Sequence, residues 1–326
     1  MSKNTTLNQK LFSPDVELIP TRNGYGDGLL ELGKANPAVV VLTGDLAEST
    51  RVLPFSKAYP DRFIECGVAE QNMAGIAAGL ALSGKIPFIS SYAVFSPGRS
   101  WDQVRVSICI NRANVKIAGA HTGVSVGPDG ATHQALEDIA IMRTLPNMTV
   151  IAPCDYEETR KATRAAAAIS GPVYFRFGRE KTPVITTPKT PFAIGRAEVF
   201  QGGSDVTIFA CGPLLYEALI TARDLTKAGV SCEVINNHTI KPLDVKTILA
   251  SVKKTRCAVT VEEHQIMGGM GSAVCELLGG RFPVPVEMVG MHDSFGESGT
   301  PAQLLKKYSM TRKEIKASVK KVLTRK

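Results

Sequence analysis

The sequence predicts an α/β protein of two domains, the first a mostly parallel sheet with helices on both faces and the second a further α/β domain. Three observations carry this. Short, continuous apolar runs such as residues 39–43 recur along the chain, the pattern of parallel strands buried on both sides. Helical stretches alternate with these runs from one end to the other. After Arg179 the composition breaks: residues 181–191 hold three prolines and few apolar side chains, dividing one such alternation from a second. A chain of 326 residues, 44% apolar and 21% charged, has the length and make-up of two ordinary globular domains.

Taken in order, residues 1–18 are polar, lack a clear period and read as an N-terminal arm. The first domain is expected over 19–181. A helix is predicted to open at Pro20, with Thr21 as its N-cap. Gly24-x-Gly26 follows no strand, so it is no dinucleotide-binding turn, and Gly24, Gly26 and Gly28 read as structural. The buried strand at 39–43 runs into Gly44, Asp45 and on to Ser49 and Thr50, a loop at a strand's carboxyl end, where open α/β sheets bind ligands.

A strand-like segment follows at 63–66, and past Gly67 the pattern becomes helical as far as Leu82. Met73, Ala74, Ile76, Ala77, Leu80 and Ala81 leave almost no polar face, which predicts a helix covered on all sides. Glu70 falls in its first turn. One reading pairs that carboxylate with the helix dipole. The other holds it in a dry place for a ligand, since burial favours the protonated form of a carboxyl group and lets it share a proton.

The next strand, at 87–90, leads to an aromatic-bearing loop with Tyr92 and Phe95. A strand at 115–119 then enters a glycine-rich loop carrying His121, Asp129 and His133, two of the five histidines in the chain among them. Three readings of that loop stand together: metal ligation, a polar pocket with proton-transferring or phosphate-contacting imidazoles, and ordinary hydrogen-bonded histidines. A linker is expected at 182–193 and a second α/β domain at 194–310. Its predicted elements are strands at 205–211, 232–235 and 258–262 and a helix at 214–227 stopped by Gly229. Beyond them lie His264, read as structural, and the glycine turn from Gly268 to Gly271.

Charge and cysteine usage exclude several functions. The net charge of +8 resides in residues 306–326, with nine basic residues and one acid. Ile315, Val319 and Val322 give the segment 311–326 the thin apolar stripe of a surface helix, and no aromatic residue is interleaved beyond Tyr308, so we expect a solvated face and no nucleic-acid partner. No apolar stretch reaches membrane-spanning length, and the N-terminus has no signal-peptide core, so neither a membrane nor export is expected and the protein reads as cytoplasmic. Seven cysteines scattered singly, with no CxxC, read as reduced thiols rather than disulfides or a zinc site.

Three stretches together resemble one family. Glu65-Cys66-Gly67-Val68-Ala69-Glu70-Gln71-Asn72-Met73 resembles the pyrimidine-binding motif of transketolases. The loop from His121 to His133, continued by Ala135-Leu136-Glu137-Asp138, is similar to their substrate loop, and Arg176-Phe177-Gly178-Arg179-Glu180 to their phosphate-binding segment. The likeness covers nearly the whole chain, but only the C-terminal half of a full-length transketolase. It therefore implies a thiamine-diphosphate pyrimidine-binding fold followed by a transketolase C-terminal domain, acting as the C-terminal subunit of a split enzyme.

What the resemblance implies about chemistry is specific. Thiamine diphosphate would bind here through its aminopyrimidine, with magnesium and the diphosphate held by an N-terminal partner subunit. Gly26-Asp27-Gly28 has the letters that open the family's magnesium motif, but the Asn-Asn that completes it is absent, so no metal is expected on this chain. Glu70 would meet the pyrimidine ring nitrogen, Tyr92 and Phe95 would flank the ring, and Asp45 would approach the cofactor. Arg22, Ser49, His121 and Arg179 match residues that hold the sugar phosphate, with Arg176 taking Arg179's place if the register slips by three. Asp129 would sense a substrate hydroxyl. His133 would lie near the reacting oxygens, and Glu70, His133 and His121 would be the catalytic residues.

The implied reaction moves a two-carbon ketol unit between sugar phosphates, a step of the pentose phosphate pathway. The implied assembly is a homodimer core within a two-plus-two heterotetramer. Between Phe95 and Trp101 this chain carries one residue more than the family pattern, around Pro97-Gly98. The alternatives within the cofactor class are a transketolase acting on a modified sugar, a deoxyxylulose-phosphate synthase and an oxoacid dehydrogenase subunit. A non-catalytic assembly or regulatory protein is the alternative of another class.

Overall fold

A computed structural model describes residues 6–326; residues 1–5 of the expected arm lie outside the described residues. The rest of the arm is anchored. Leu7 and Leu11 are buried in the second core, and Asn8 bonds the backbone of Val184 and Ile185. Leu18–Pro20 then pairs antiparallel with Lys181–Pro183, bringing the start of the first helix beside the Arg179 segment.

The first sheet has seven strands. Its central strands Val39–Thr43, Lys116–Ala120 and Val173–Phe177 are buried at every residue, as continuous apolar runs require. Across the sheet the order runs Thr239–Lys241, Thr149–Ile151, Val173–Phe177, Lys116–Ala120, Ile86–Tyr92, Val39–Thr43 and Phe63–Glu65. All pairings are parallel except that of Thr239–Lys241. Five strands form the second sheet, in the order Val286–Met291, Ala258–Gln265, Val206–Ala210, Cys232–Asn236 and Glu198–Gln201, with only the last antiparallel. The fold is the two-part, mostly parallel α/β arrangement that the sequence predicts.

Helix Thr21–Ala35 packs on Tyr156–Ala168 closely enough to explain Gly24 and Gly28: a Cβ on Gly24 would stand 2.1 Å from the Tyr156 carbonyl oxygen. In the second unit, helix Leu215–Lys227 and the basic helix Arg312–Leu323 cover one face of the sheet. Ile315, Val319 and Val322 are buried there, while Arg312 pairs with Glu217, and Lys321 and Arg325 with Glu287. Five of the seven free cysteines are buried. Among the described residues no helix is long and apolar enough to cross a membrane.

Four expectations change. Thr21 is the first helical residue rather than the N-cap; Pro20 takes that place, and the Thr21 hydroxyl is engaged by Gly178, whose N–H donates to it at 2.7 Å. Tyr92 ends the strand Ile86–Tyr92 instead of beginning a loop. The helix Glu70–Leu82 is not covered on all sides: Gln71, Asn72, Gly75, Gly79 and Leu82 are exposed, because nothing in this chain packs on that face. The strand Thr239–Lys241 leaves the second unit to join the edge of the first sheet, where Ala152 N–H donates to the His238 carbonyl at 2.7 Å.

Candidate active site

The carboxyl ends of the parallel strands in the first sheet open onto one polar cavity of about 510 Å³. Arg22, Asp45, Ser49, Tyr92, Asp129 and Arg179 line it, six residues that reach it from five separate segments of sequence. The topology explains the convergence. Val39–Thr43 delivers the loop with Asp45 and Ser49, Ile86–Tyr92 ends in Tyr92, Lys116–Ala120 releases His121, and Val173–Phe177 releases Arg179.

Ser49 is the hub of one wall. Its Oγ lies 3.0 Å from the Tyr92 hydroxyl and 3.0 Å from His121 Nε2, while Arg22 Nη1 donates to its carbonyl at 3.0 Å. His121 is fully buried, and burial, reinforced by Arg22, Arg179 and Arg51, pulls its pKa down to about 3. It is therefore a neutral hydrogen-bonding group near neutral pH, not a cation for a phosphate. Its Nδ1 and the Nε of Arg22 have no partner within the protein, two buried donors or acceptors left for something else. Crowding by Arg51 and Arg179, after burial itself, also lowers the pKa of Arg22.

On the opposite wall Arg179 Nη1 meets Asp129 Oδ2 at 2.9 Å. The cavity thus takes Arg179 and not Arg176. Arg176 is buried below, paired with Asp138 at 3.0 Å, its guanidinium donating to the carbonyls of Ala135 and Glu263. Tyr92 and Phe95 lie nearly parallel, 15° apart with centroids at 6.2 Å, and the His133 ring stands edge-on to both at 5.6 and 5.4 Å. Metal ligation of the His121 to His133 loop is not what the fold builds. Asp129 goes to Arg179, His133 to Thr132, and among the described residues no cluster of three or more acidic, histidine or cysteine side chains could hold a metal ion.

Glu70 lies beside this cavity, only 1% exposed, under the turn at Gly44. Its carboxylate is not solitary. Ser91 Oγ donates to Oε1 at 3.2 Å, and Arg99 Nη1 to Oε2 at 2.9 Å. Arg99 in turn lies over the Phe95 ring, with its Cζ 4.6 Å from the centroid. A buried carboxylate next to an aromatic platform is a donor set suited to a flat, nitrogen-bearing ring, which stacks on one and hydrogen-bonds the other.

Sequence reasoning missed Arg51, Arg99 and Ser91. Arg51 lines the cavity with a positive φ of 68° and is steadied by the Asn23 side chain at 3.1 Å. The available signal for Arg99 was a lone arginine four residues past Phe95, in the loop that carries the extra residue. For Arg51 and Ser91 there was none, since only the fold brings them to the site.

Comparison with known proteins accords with this geometry. Residues 17–184 match the pyrimidine-binding domain of transketolases, and residues 195–315 the transketolase C-terminal domain. A putative transketolase C-terminal section from Methanocaldococcus jannaschii is 45% identical over 293 residues, covering 89% of this chain and 92% of that protein. A 6-deoxy-6-sulfo-D-fructose transketolase subunit from a Clostridium species is 42% identical, over 94% of this chain and 95% of the relative. A solved split-gene transketolase, described as an inactive β4 tetramer, superposes with a TM-score of 0.89 at 47% identity, covering 94% of this chain and 99% of that one. The chain therefore belongs to the transketolase family and corresponds to the C-terminal section of those enzymes, a pyrimidine-binding domain followed by a transketolase C-terminal domain.

Proposed function

We propose that this chain is the C-terminal subunit of a split, thiamine-diphosphate-dependent transketolase that moves a two-carbon ketol unit from a ketose phosphate to an aldose phosphate. The observation that carries the proposal is Glu70, a buried carboxylate beside the Tyr92–Phe95 pair and next to a cavity ringed by arginines. Bound thiamine diphosphate supplies a carbon nucleophile that also stabilises the two-carbon carbanion. Glu70 would hold a proton at the pyrimidine ring nitrogen, and the Tyr92–Phe95 pair would supply the aromatic surface against which the ring packs. Arg22, Arg51 and Arg179 receive the phosphate oxygens, with neutral His121 and Ser49 as further hydrogen-bond partners. Asp129 orients a sugar hydroxyl, and His133 holds or moves a proton near the reacting oxygens.

Turnover on this reading requires a second chain that binds the diphosphate and Mg2+. That a solved split relative is inactive as a tetramer of one subunit type supports this. The uncovered face of helix Glu70–Leu82, with Gly75, Gly79 and Leu82, and the exposed Val68, Val106 and Ile110 support self-association of this chain within a two-plus-two assembly.

The test is ketol transfer from xylulose 5-phosphate to ribose 5-phosphate with thiamine diphosphate and magnesium, with and without a candidate N-terminal subunit. Turnover is expected only in the mixture. A mixture that binds the cofactor yet ignores these sugars would favour the second reading, a transketolase for a modified sugar. That reading draws on the relative named for a sulfosugar and on the third guanidinium, Arg51, since arginine forks bind sulfonates as well as phosphates. Failure of any candidate N-terminal subunit to form a cofactor-binding complex would overturn both.

A further inference from the structure

Residues 122–134 carry Asp129 and His133 into the site, yet much of what holds this loop belongs to the other domain. Gly123, Gly127 and Gly130 have φ of 82°, 83° and 76°. Glycine at such angles is free to take many other paths, so the loop's course has to be set by its neighbours. Beside the segment 298–301, which packs on Gly127 and Gly130, Glu263 near the end of strand Ala258–Gln265 is the neighbour that bonds the loop's Ser125. Its carboxylate accepts the Ser125 N–H at 2.6 Å and the Ser125 hydroxyl at 3.1 Å. The fit is close, since a Cβ on Gly123 would stand 2.3 Å from Glu263 Oε1.

Two further contacts complete the grip. Gln134 donates Nε2 to the carbonyls of Val124 and Glu297, at 3.1 and 2.9 Å, tying the loop's exit to its entry and to the second domain. Arg176 bonds the carbonyls of Ala135 and Glu263 together, locking the strand end against the loop. Glu263 itself lies outside the cavity lining and touches neither Asp129 nor His133.

We infer that Glu263 is a positioning residue: from the second domain it fixes Ser125, and so sets the loop that presents Asp129 to Arg179 and His133 to Tyr92 and Phe95. A buried carboxyl group that takes both the backbone N–H and the hydroxyl of one residue fixes that residue's position and orientation together, which suits a single side chain to this task. The inference rests on the proposed function only for the chemistry that the loop serves. Its geometry can be read in the free chain.

The experiment is amide hydrogen exchange by mass spectrometry, with the imidazole NMR signals of His133, on the full chain carrying Glu263→Ala, Glu263→Gln or Arg143→Ala. The last breaks the Arg143–Glu276 pair, which joins the same two domains away from the loop. In Glu263→Ala, amides in 122–134 are expected to exchange about tenfold faster and the ring-shifted His133 signals to move toward those of a solvated histidine. Glu263→Gln keeps an acceptor for the Ser125 N–H and is expected to recover part of both readouts, at about threefold faster exchange. Arg143→Ala should leave the loop as it is. Wild-type exchange and His133 signals in Glu263→Ala would overturn the inference, as would a loop loosened equally by Arg143→Ala. Should Glu263→Ala not fold, unchanged exchange in Glu263→Gln overturns it. Absence of ketol transfer by the wild-type mixture would defeat the functional proposal and leave these results standing.

Discussion

The two sheets of this protein end in opposite ways. In the first, the carboxyl edge opens on a cavity, and buried polar atoms of its lining residue Arg22 and of His121, which bonds the lining residue Ser49, have no partner in the protein. In the second, the turn that follows strand Ala258–Gln265 is filled by the chain itself. Glu262, fully buried, accepts the N–H groups of Met270 and Gly271 at 2.7 Å each, at the start of helix Met270–Arg281. A strand–glycine-turn–helix junction of that kind can hold a phosphate, but here a carboxylate from the preceding strand already occupies it. The same architecture thus leaves an open polar cavity at one edge and, at the other, a glycine turn whose leading N–H groups the chain satisfies itself.

The largest expected effect falls at the open edge. In the active mixture Glu70→Gln should lower ketol transfer by about 10²–10⁴-fold while leaving the circular dichroism of the free chain unchanged. Full activity in that variant would remove the functional distinction between the edges. At the filled edge the order reverses. Glu262→Ala leaves two buried N–H groups without acceptors and should cost about 2–4 kcal/mol, read as a lower urea midpoint at unchanged slope. A neutral result would mean that the glycine turn is free to hold something else.

Arg176 and Arg179 sharpen the contrast within three residues. Arg179→Lys is expected to raise KM for the sugar phosphate about tenfold or more, because a fork becomes a point charge. Arg176→Lys should instead lower the thermal midpoint, since its partners Asp138, Ala135 and Glu263 are structural. The smallest effect is pH dependence, in which the buried histidines and the buried glutamates have opposite signs. Burial holds His121 and His238 at about 3 and His264 at about 4. Their stability contribution is complete above the unfolded value of ~6.5 and is lost as pH falls toward those lowered values. Burial raises Glu158 and Glu262 to about 7, so their contribution is complete below the unfolded value of ~4.5 and is lost as pH rises through 7. The two trends partly cancel. Glu262→Gln removes one opposing group and should steepen the loss of urea resistance on acidification from pH ~7 to ~5.

Much of this was legible in the sequence because it depends on local pattern. Short, continuous apolar runs bounded by turn residues read as buried strands, and the segments that carry Ser49, Tyr92, Asp129 and Arg179 meet at one cavity. What escaped depends on pairing across distance. Thr239–Lys241 is too short to announce itself, and its partner Thr149–Ile151 lies some ninety residues earlier. Arg99 lies on Glu70 only because a loop folds back over Phe95. The helix after Gly67 misled in a physical way: an apolar pattern says that a face will be covered, not that the same chain covers it.

The strand Thr239–Lys241 also governs the order in which the protein can be made. A chain emerging from the ribosome completes six of the seven strands of the first sheet when residue 177 appears, yet the flank of Thr149–Ile151 stays open until residue 241 follows. At ~5–20 residues per second that leaves an unpaired sheet edge exposed for several seconds, a template on which nascent chains can pair with one another. The first domain is therefore born with a vulnerable side that only its successor can close, and a translational pause between those two points would be the moment of greatest risk.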